Sequence, residues 1–261
     1  MFTENMVNAC PNGYISKLPQ ITAAFWIMKI TATTLGETGG DWLSMTMGIG
    51  YLASTLVFFA LFMVALCAQL MSKRHTPYLF WTVIIATSTF GTTMSDYMDR
   101  TLHLGYTLGA AILVGILLSL LGMWRYTVGN VNVNYICSRK AELFYWVTIL
   151  FSNTLGTALG DFLSDDSGLG FFGSWLLITA ALTVIFIVYY FTPVSRVLLF
   201  WMAFVLTRPF GATFGDVLTK TPDKGGFDFG RGSASLILLV ILVVTIMVSY
   251  RERGVQPSPA E

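Results

Sequence analysis

The chain has 261 residues, 55% of them hydrophobic and 11% charged, with a mean hydropathy of +0.69. A soluble domain would have nowhere to put that much apolar surface, so a polytopic membrane protein is expected and a nucleic-acid partner is not. The formal net charge of +1 carries no message as a total, because in a membrane protein charges matter by the loop that holds them.

A span needs about 20 apolar residues to cross the hydrocarbon layer, and eight can be placed. They run from Leu18 to Gly40, Ile49 to Met71, Tyr78 to Ser95, Leu104 to Trp124, Glu142 to Gly160, Gly170 to Thr192, Val197 to Gly215 and Ser233 to Tyr250. Each odd-numbered span carries the same three residues in step: Trp26, Gly36 and Asp41; Trp81, Gly91 and Asp96; Trp146, Gly156 and Asp161; Trp201, Gly211 and Asp216. Random apolar sequence does not keep three residue types in register four times, so the chain is a tandem array. The even spans are plain apolar partners opened by Gly50-Tyr51, Gly105-Tyr106, Gly170-Phe171 and Gly226-Phe227. The expected fold is all-α: eight transmembrane helices in four helical-hairpin repeats, near residues 18–72, 73–125, 139–193 and 194–251. Residues 126–138 join the two halves of a single transmembrane domain, 1–261.

A repeat with an even number of spans starts on the same side each time, so the repeats are parallel in orientation and not inverted. Loops at the N-terminal side of the odd spans hold Lys17, Lys73, Arg74, Arg125, Arg139, Lys140, Arg196, Arg251 and Arg253, against Arg100, Lys220, Lys224 and Arg231 opposite. By the positive-inside tendency both termini are cytoplasmic and the acidic end, where all four motif aspartates gather, faces outward and concentrates cations.

From Trp81 to Asp96 is 15 residues, about 22 Å of helix. The aspartates therefore fall in the outer third of the membrane. Thr34, Thr38 and Asp41, then Thr89, Thr93 and Asp96, Thr154 and Asp161, and Thr213 and Asp216 follow helical offsets of four and three, which predicts a ring of hydroxyls below a ring of carboxylates. Such oxygens suit a hard cation. The competing reading is packing: Gly36 to Gly40, Gly156 to Gly160 and Gly211 to Gly215 have the small-xxx-small spacing by which membrane helices approach closely, and the aspartates then merely end the helices.

The repeats differ at informative positions. Lys29 stands where the others have Ile84, Ile149 and Phe204; Glu37 replaces Thr92, Thr157 and Ala212; Arg208 replaces Thr33, Ser88 and Asn153. An unpaired charge at this depth costs about 2.5–3.5 kcal/mol or more, so carboxylate partners are expected, Glu37 for Lys29 and Asp216 for Arg208, each eight residues on along one face. The pairs are either a structural tie between the first and last repeats or a gating or coupling device. If they neutralise part of the ring, Asp96 and Asp161 set the binding charge and are the expected metal ligands. Met45, Met47, Met94 and Met98 could offer thioethers to a soft metal, and His103 reads as a surface residue. Cys10, Cys67 and Cys137 share no close spacing, no cofactor is expected, and no nucleotide-binding or hydrolytic motif is present. The N-terminus lacks the pattern of a removable signal peptide.

The four units, Phe25-Trp26 to Asp41, Phe80-Trp81 to Asp96, Phe144 to Asp161 and Phe200-Trp201 to Asp216, resemble a family of bacterial membrane proteins with four tandem repeats of unknown function, each with two spans and a characteristic tryptophan. The resemblance implies a bacterial inner-membrane location and the repeat count, and no activity. From the residues, the expected function is a secondary transporter or exporter of a small cation, a divalent metal of the Mn²⁺ kind, coupled to protons, with lipid as surroundings and oligomerisation left open. The alternatives are a non-transporting scaffold or partner-binding subunit, and a membrane-embedded enzyme or carrier of a small organic molecule.

Overall fold

The computed structural model describes Pro19 and residues 21–72, 75–129, 131, 136 and 138–254, the side chains of 252–254 aside. Lys17, Leu18, Lys73, Arg74, Cys10 and Cys137 lie outside the described residues, as does the Arg253 side chain. Among the described residues there are eight α-helices and no strand: α1 (Ala23–Asp41), α2 (Tyr51–Met71), α3 (Pro77–Asp96), α4 (Gly105–Val128), α5 (Arg139–Asp161), α6 (Gly170–Phe191), α7 (Arg196–Thr219) and α8 (Arg231–Gly254). Starts are set by local chemistry. Thr22 and Ser138 accept hydrogen bonds from the amides three residues on, Pro77 opens α3, and Gly50 at φ 84° turns the chain into α2.

Six of the helices, α2 and α4 to α8, are long and apolar enough to cross a membrane, α5 counted together with the turn that extends it. Helices α1 and α3, at 19 and 20 residues, are long enough but too polar to qualify on composition. The reason lies in their position. Helices α1, α3, α5 and α7 pack side to side in that order, and α7 returns to α1, which closes an inner ring. The polar residues of α1 and α3 are thereby shielded: Lys29, Thr33, Glu37, Ser88 and Thr92 are all buried.

The even helices form an outer layer whose large side chains, such as Leu56, Val64, Phe186 and Val244, stand exposed. Their packing links neighbouring repeats. Helix α2 lies along α3, α4 along α5 and α6 along α7, so each outer helix covers the inner helix of the following repeat. Helix α8 covers α1, tied by the Ser235 hydroxyl donating to that of Thr38 at 2.8 Å. A single repeat cannot bury its own inner helix, which is the reason that the array is cyclic. The glycine-aromatic pairs open three outer helices, with Gly50, Gly105 and Gly170 all at positive φ. The fourth pair does not: α8 begins after Gly230, and Gly226-Phe227 falls within the α7–α8 connection.

The motif glycine is where the inner helices cross. A Cβ on Gly36 would lie 2.4 Å from Ser88 Cβ, one on Gly91 2.9 Å from the Asn153 backbone, one on Gly156 2.3 Å from Arg208 Cγ and one on Gly211 2.4 Å from Thr33 Oγ1. Each glycine thus receives the same position of the next helix, and the fourth receives it from the first. Residue numbers rise together across every crossing, as in Gly40 against Thr92 and Gly160 against Ala212, so the inner helices run parallel. At the other end the motif aromatics repeat this order: Phe25 packs on Trp81, Phe80 on Trp146 and Phe200 on Trp26, with centroids 5.4–5.8 Å apart. Trp81 and Trp146 are fully buried in the ring.

Gly36→Ala and Gly156→Ala are expected to destabilise the protein by about 1–3 kcal/mol each through overpacking. Gly115→Ala in α4, where no atom lies within 4 Å of the added methyl, should not. Thermal unfolding followed by tryptophan fluorescence in detergent measures the difference.

Candidate functional site

Four residues of each inner helix, spaced by four, form a stripe that is buried throughout. Its levels are Lys29, Ile84, Ile149 and Phe204; Thr33, Ser88, Asn153 and Arg208; Glu37, Thr92, Thr157 and Ala212; and the motif acids Asp41, Asp96, Asp161 and Asp216. None of these residues exceeds 4% exposure. The positions at which the repeats diverge are thus the ones that share the ring interior.

Arg208 spans this interior. Its Nη1 donates to the Thr33 carbonyl at 3.1 Å and to Glu37 Oε2 at 3.2 Å, and its Nη2 donates to the Ser88 carbonyl at 3.1 Å, to the Thr157 hydroxyl at 2.7 Å and to the Thr92 hydroxyl. One guanidinium carried by α7 therefore bonds to α1, α3 and α5. Thr92 in turn donates to Glu37 Oε2 at 3.1 Å. The glycine crossings make this reach possible, because the Arg208 stem lies on Gly156 with no side chain between them. The partner expected from the sequence, Asp216, is corrected to Glu37: eight residues along one helix is about 12 Å of rise, whereas the neighbouring helix brings an acid to 3.2 Å.

Lys29 is left without the carboxylate expected for it. Its amine is buried with no hydrogen-bond partner among the described residues and lies 4.0 Å from the centroid of the Phe204 ring. The face of an aromatic ring attracts a cation electrostatically, which offsets part of its desolvation.

Each motif acid meets a cation at the other end of the stripe. Asp96 Oδ1 is 2.8 Å from Arg100 Nε, Asp216 Oδ1 is 3.1 Å from Lys220 Nζ, and Asp41 Oδ2 is 3.3 Å from Arg231 Nε. Asp161 has the loosest pairing. Its Oδ2 lies 3.9 Å from Arg100 Nη2 and has no hydrogen bond, while Arg100 also approaches Asp165 at 3.9 Å. Counting Glu37, the five carboxylates of the stripes are met by four cations. Asp96 and Asp161, expected as the metal ligands, share Arg100. Glu37, Asp41 and Asp216 are the acids that the ring brings together, each offering an oxygen within 4.8 Å of the others. They come from the first and last repeats, where α7 closes on α1. Asp41 Oδ1 is buried there with no hydrogen-bond partner among the described residues.

The hydroxyls divide differently from the expectation. Thr34, Thr38, Thr89, Thr93, Thr154 and Thr213 are buried, but each hydroxyl donates to a carbonyl of its own helix three or four residues back. They pack between helices, as in Thr38 Cγ2 beside Gly215. The hydroxyls that meet inside the ring are those of Thr92 and Thr157, on the stripe of four. His103 is exposed.

Compared with known families, the chain matches the one described as Repeat of Unknown Function (DUF347) four times, at residues 24–75, 79–130, 144–195 and 199–254. The chain belongs to this family. No curated protein and no solved structure matches it. Each DUF347 match opens within the first turns of an inner helix and includes the outer helix that follows, so one unit supplies one stripe of four to the ring. The four DUF347 units build the interior jointly; none contains the Arg208 network by itself.

Arg208→Leu leaves Glu37 as a buried uncompensated charge and should cost about 3–5 kcal/mol. Adding Glu37→Leu should recover much of that loss. Unfolding by graded denaturing detergent, run as a double-mutant cycle, measures both values, and additive losses would mean that the pair does not exist.

Proposed function

We propose that the protein is a transporter and not an enzyme, and that it carries a small cation, a divalent metal of the Mn²⁺ kind, in exchange for protons. The observation that carries this reading is the trio Glu37, Asp41 and Asp216, three buried carboxylates with oxygens within 4.8 Å of one another. Buried acids in a membrane segment are costly and are kept where ions or protons move, and a hard divalent cation takes oxygens of this kind. Proton coupling fits this site, because carboxylates that release a cation within the membrane can take up protons in its place.

In this reading all eight helices cross the membrane, α1 and α3 shielded from lipid by their neighbours. The basic loops at the tryptophan end put both termini in the cytoplasm of a bacterial inner membrane, with the acids near the outer surface. The cargo binds at the acid end, and the Arg208 network closes the ring below it. Because the ring closes within one chain, the pathway requires no second copy.

The second reading is a scaffold. It draws on a specific observation: every glycine of the motif is accounted for by close packing at a crossing. The two readings part at the acids. In proteoliposomes, Mn²⁺ flux driven by a pH gradient should be lost in Asp216→Asn and in Asp41→Asn, because each removes a carboxylate ligand of the ion, with the protein still monodisperse. Flux that is absent from the unaltered protein across a panel of metals, or that survives both substitutions, would favour the scaffold.

A further inference from the structure

The outer connection of the fourth repeat is built unlike the other three. In repeats one to three the motif aspartate is followed at once by a π-helical turn, Trp42–Thr46, Tyr97–Thr101 and Phe162–Asp166. Asp41 to Tyr51, Asp96 to Gly105 and Asp161 to Gly170 are then ten, nine and nine residues apart. After Asp216 the helix stays regular to Thr219, a 3₁₀ turn occupies Pro222–Lys224, and Arg231 opens α8 fifteen residues on. The extra length folds back on the end of α7. The amides of Phe227, Asp228 and Phe229 donate to the carbonyls of Val217, Lys220 and Leu218 at 2.8–2.9 Å.

This one segment carries a cation at each end, and both cations sit on the acid trio: Lys220 on Asp216 and Arg231 on Asp41. The third cation of the trio, Arg208 on Glu37, is different in kind. Arg208 is fully buried and bonded across the ring, so it has no route to water, whereas the Lys220 and Arg231 side chains are 15% and 27% exposed and can be released to solvent. Lys220 rests 5.1 Å from the Phe171 ring centroid, a contact that breaks without stranding a polar group. With three carboxylates matched by three tethered cations, an incoming ion gains little unless one of them leaves. The buried, unpartnered Asp41 Oδ1 is an acceptor that such an ion would satisfy.

Resting on the cation reading above, we propose that the α7–α8 connection, residues 220–230 with Arg231, is a lid whose two charged ends occupy the Glu37–Asp41–Asp216 site as built-in competitors. A metal ion enters by displacing Lys220 and Arg231, and the segment lifts from α7 as they go. The competition sets a threshold: the site fills only when the ion outcompetes two cations held at high local concentration.

The test is Mn²⁺ binding to the purified full chain in nanodiscs, by calorimetry, together with hydrogen exchange of the lid amides. Lys220→Gln and Arg231→Gln should each tighten binding by about tenfold, because a larger fraction of molecules then has the site open. Lys224→Gln, on the same segment but in no ion pair among the described residues, should leave it unchanged, and Asp216→Asn should abolish it. In the Lys220→Gln/Arg231→Gln chain the amides of Phe227 to Phe229 should exchange faster than in the unaltered protein. Equal or weaker binding in the Gln variants, with Asp216→Asn still abolishing it, would overturn the lid and leave the cation reading standing. Unchanged exchange in the double variant would overturn the lid whatever the binding result. If no chain binds Mn²⁺, the cation reading fails and the lid fails with it.

Discussion

The architecture depends on placing one guanidinium inside a ring of four helices. A charge buried in that position must find the acceptors for its terminal nitrogens in protein, and no single repeat can supply them. Arg208 takes them from α1, α3 and α5. This requirement explains two otherwise separate facts. The inner helices must approach closely enough for one side chain to touch all of them, which the motif glycines permit, and α7 must come back to α1 to meet Glu37. The tie between the last repeat and the first is therefore a hydrogen-bonded ion pair as well as a packing contact.

Fourfold repetition supplies the frame, and departures from it supply the chemistry. At the glycine level four equivalent crossings follow one another, and at the tryptophan end three of four aromatic contacts do the same. The charges break the pattern. Asp96 and Asp216 have a cation four residues on, Asp161 has Asp165 there, and Asp41 borrows Arg231 from α8. The acids therefore lie in two unlike settings: around Arg100 between the second and third repeats, and around Glu37 between the fourth and first. Unequal surroundings favour one ion site over four shared ones.

The repeat count and the eight helical segments were legible because tryptophan, glycine and aspartate recur in register. That the inner helices run parallel also followed, from the even number of segments per repeat. The inward face was harder to read. Thr34 and Thr38 share a helical face with Asp41, but so do Thr33 and Glu37, and threonine can satisfy its hydroxyl on its own backbone wherever it points. The better signal was the line of four on which Lys29, Glu37 and Arg208 replace residues of their counterparts, since unlike residues at one repeat position are needed where four copies meet. The partner of Arg208 was out of reach of helix-periodic reasoning, because it depends on ring order, which no spacing within one helix encodes. The α7–α8 connection escaped for a related reason: Gly226-Phe227 imitates the helix openings of the other repeats, while the added length moves the true start to Arg231.

The central claim is that the ring is closed across its interior by Arg208. A cryo-electron microscopy map of the chain in nanodiscs, at a resolution that separates side chains, tests it directly. The account requires α7 beside α1, with continuous density from Arg208 to Glu37 and to the hydroxyls of Thr92 and Thr157. Density that carries Arg208 outward, to lipid headgroups or to Asp216, or an open arc of inner helices in which α7 and α1 are apart, would contradict it.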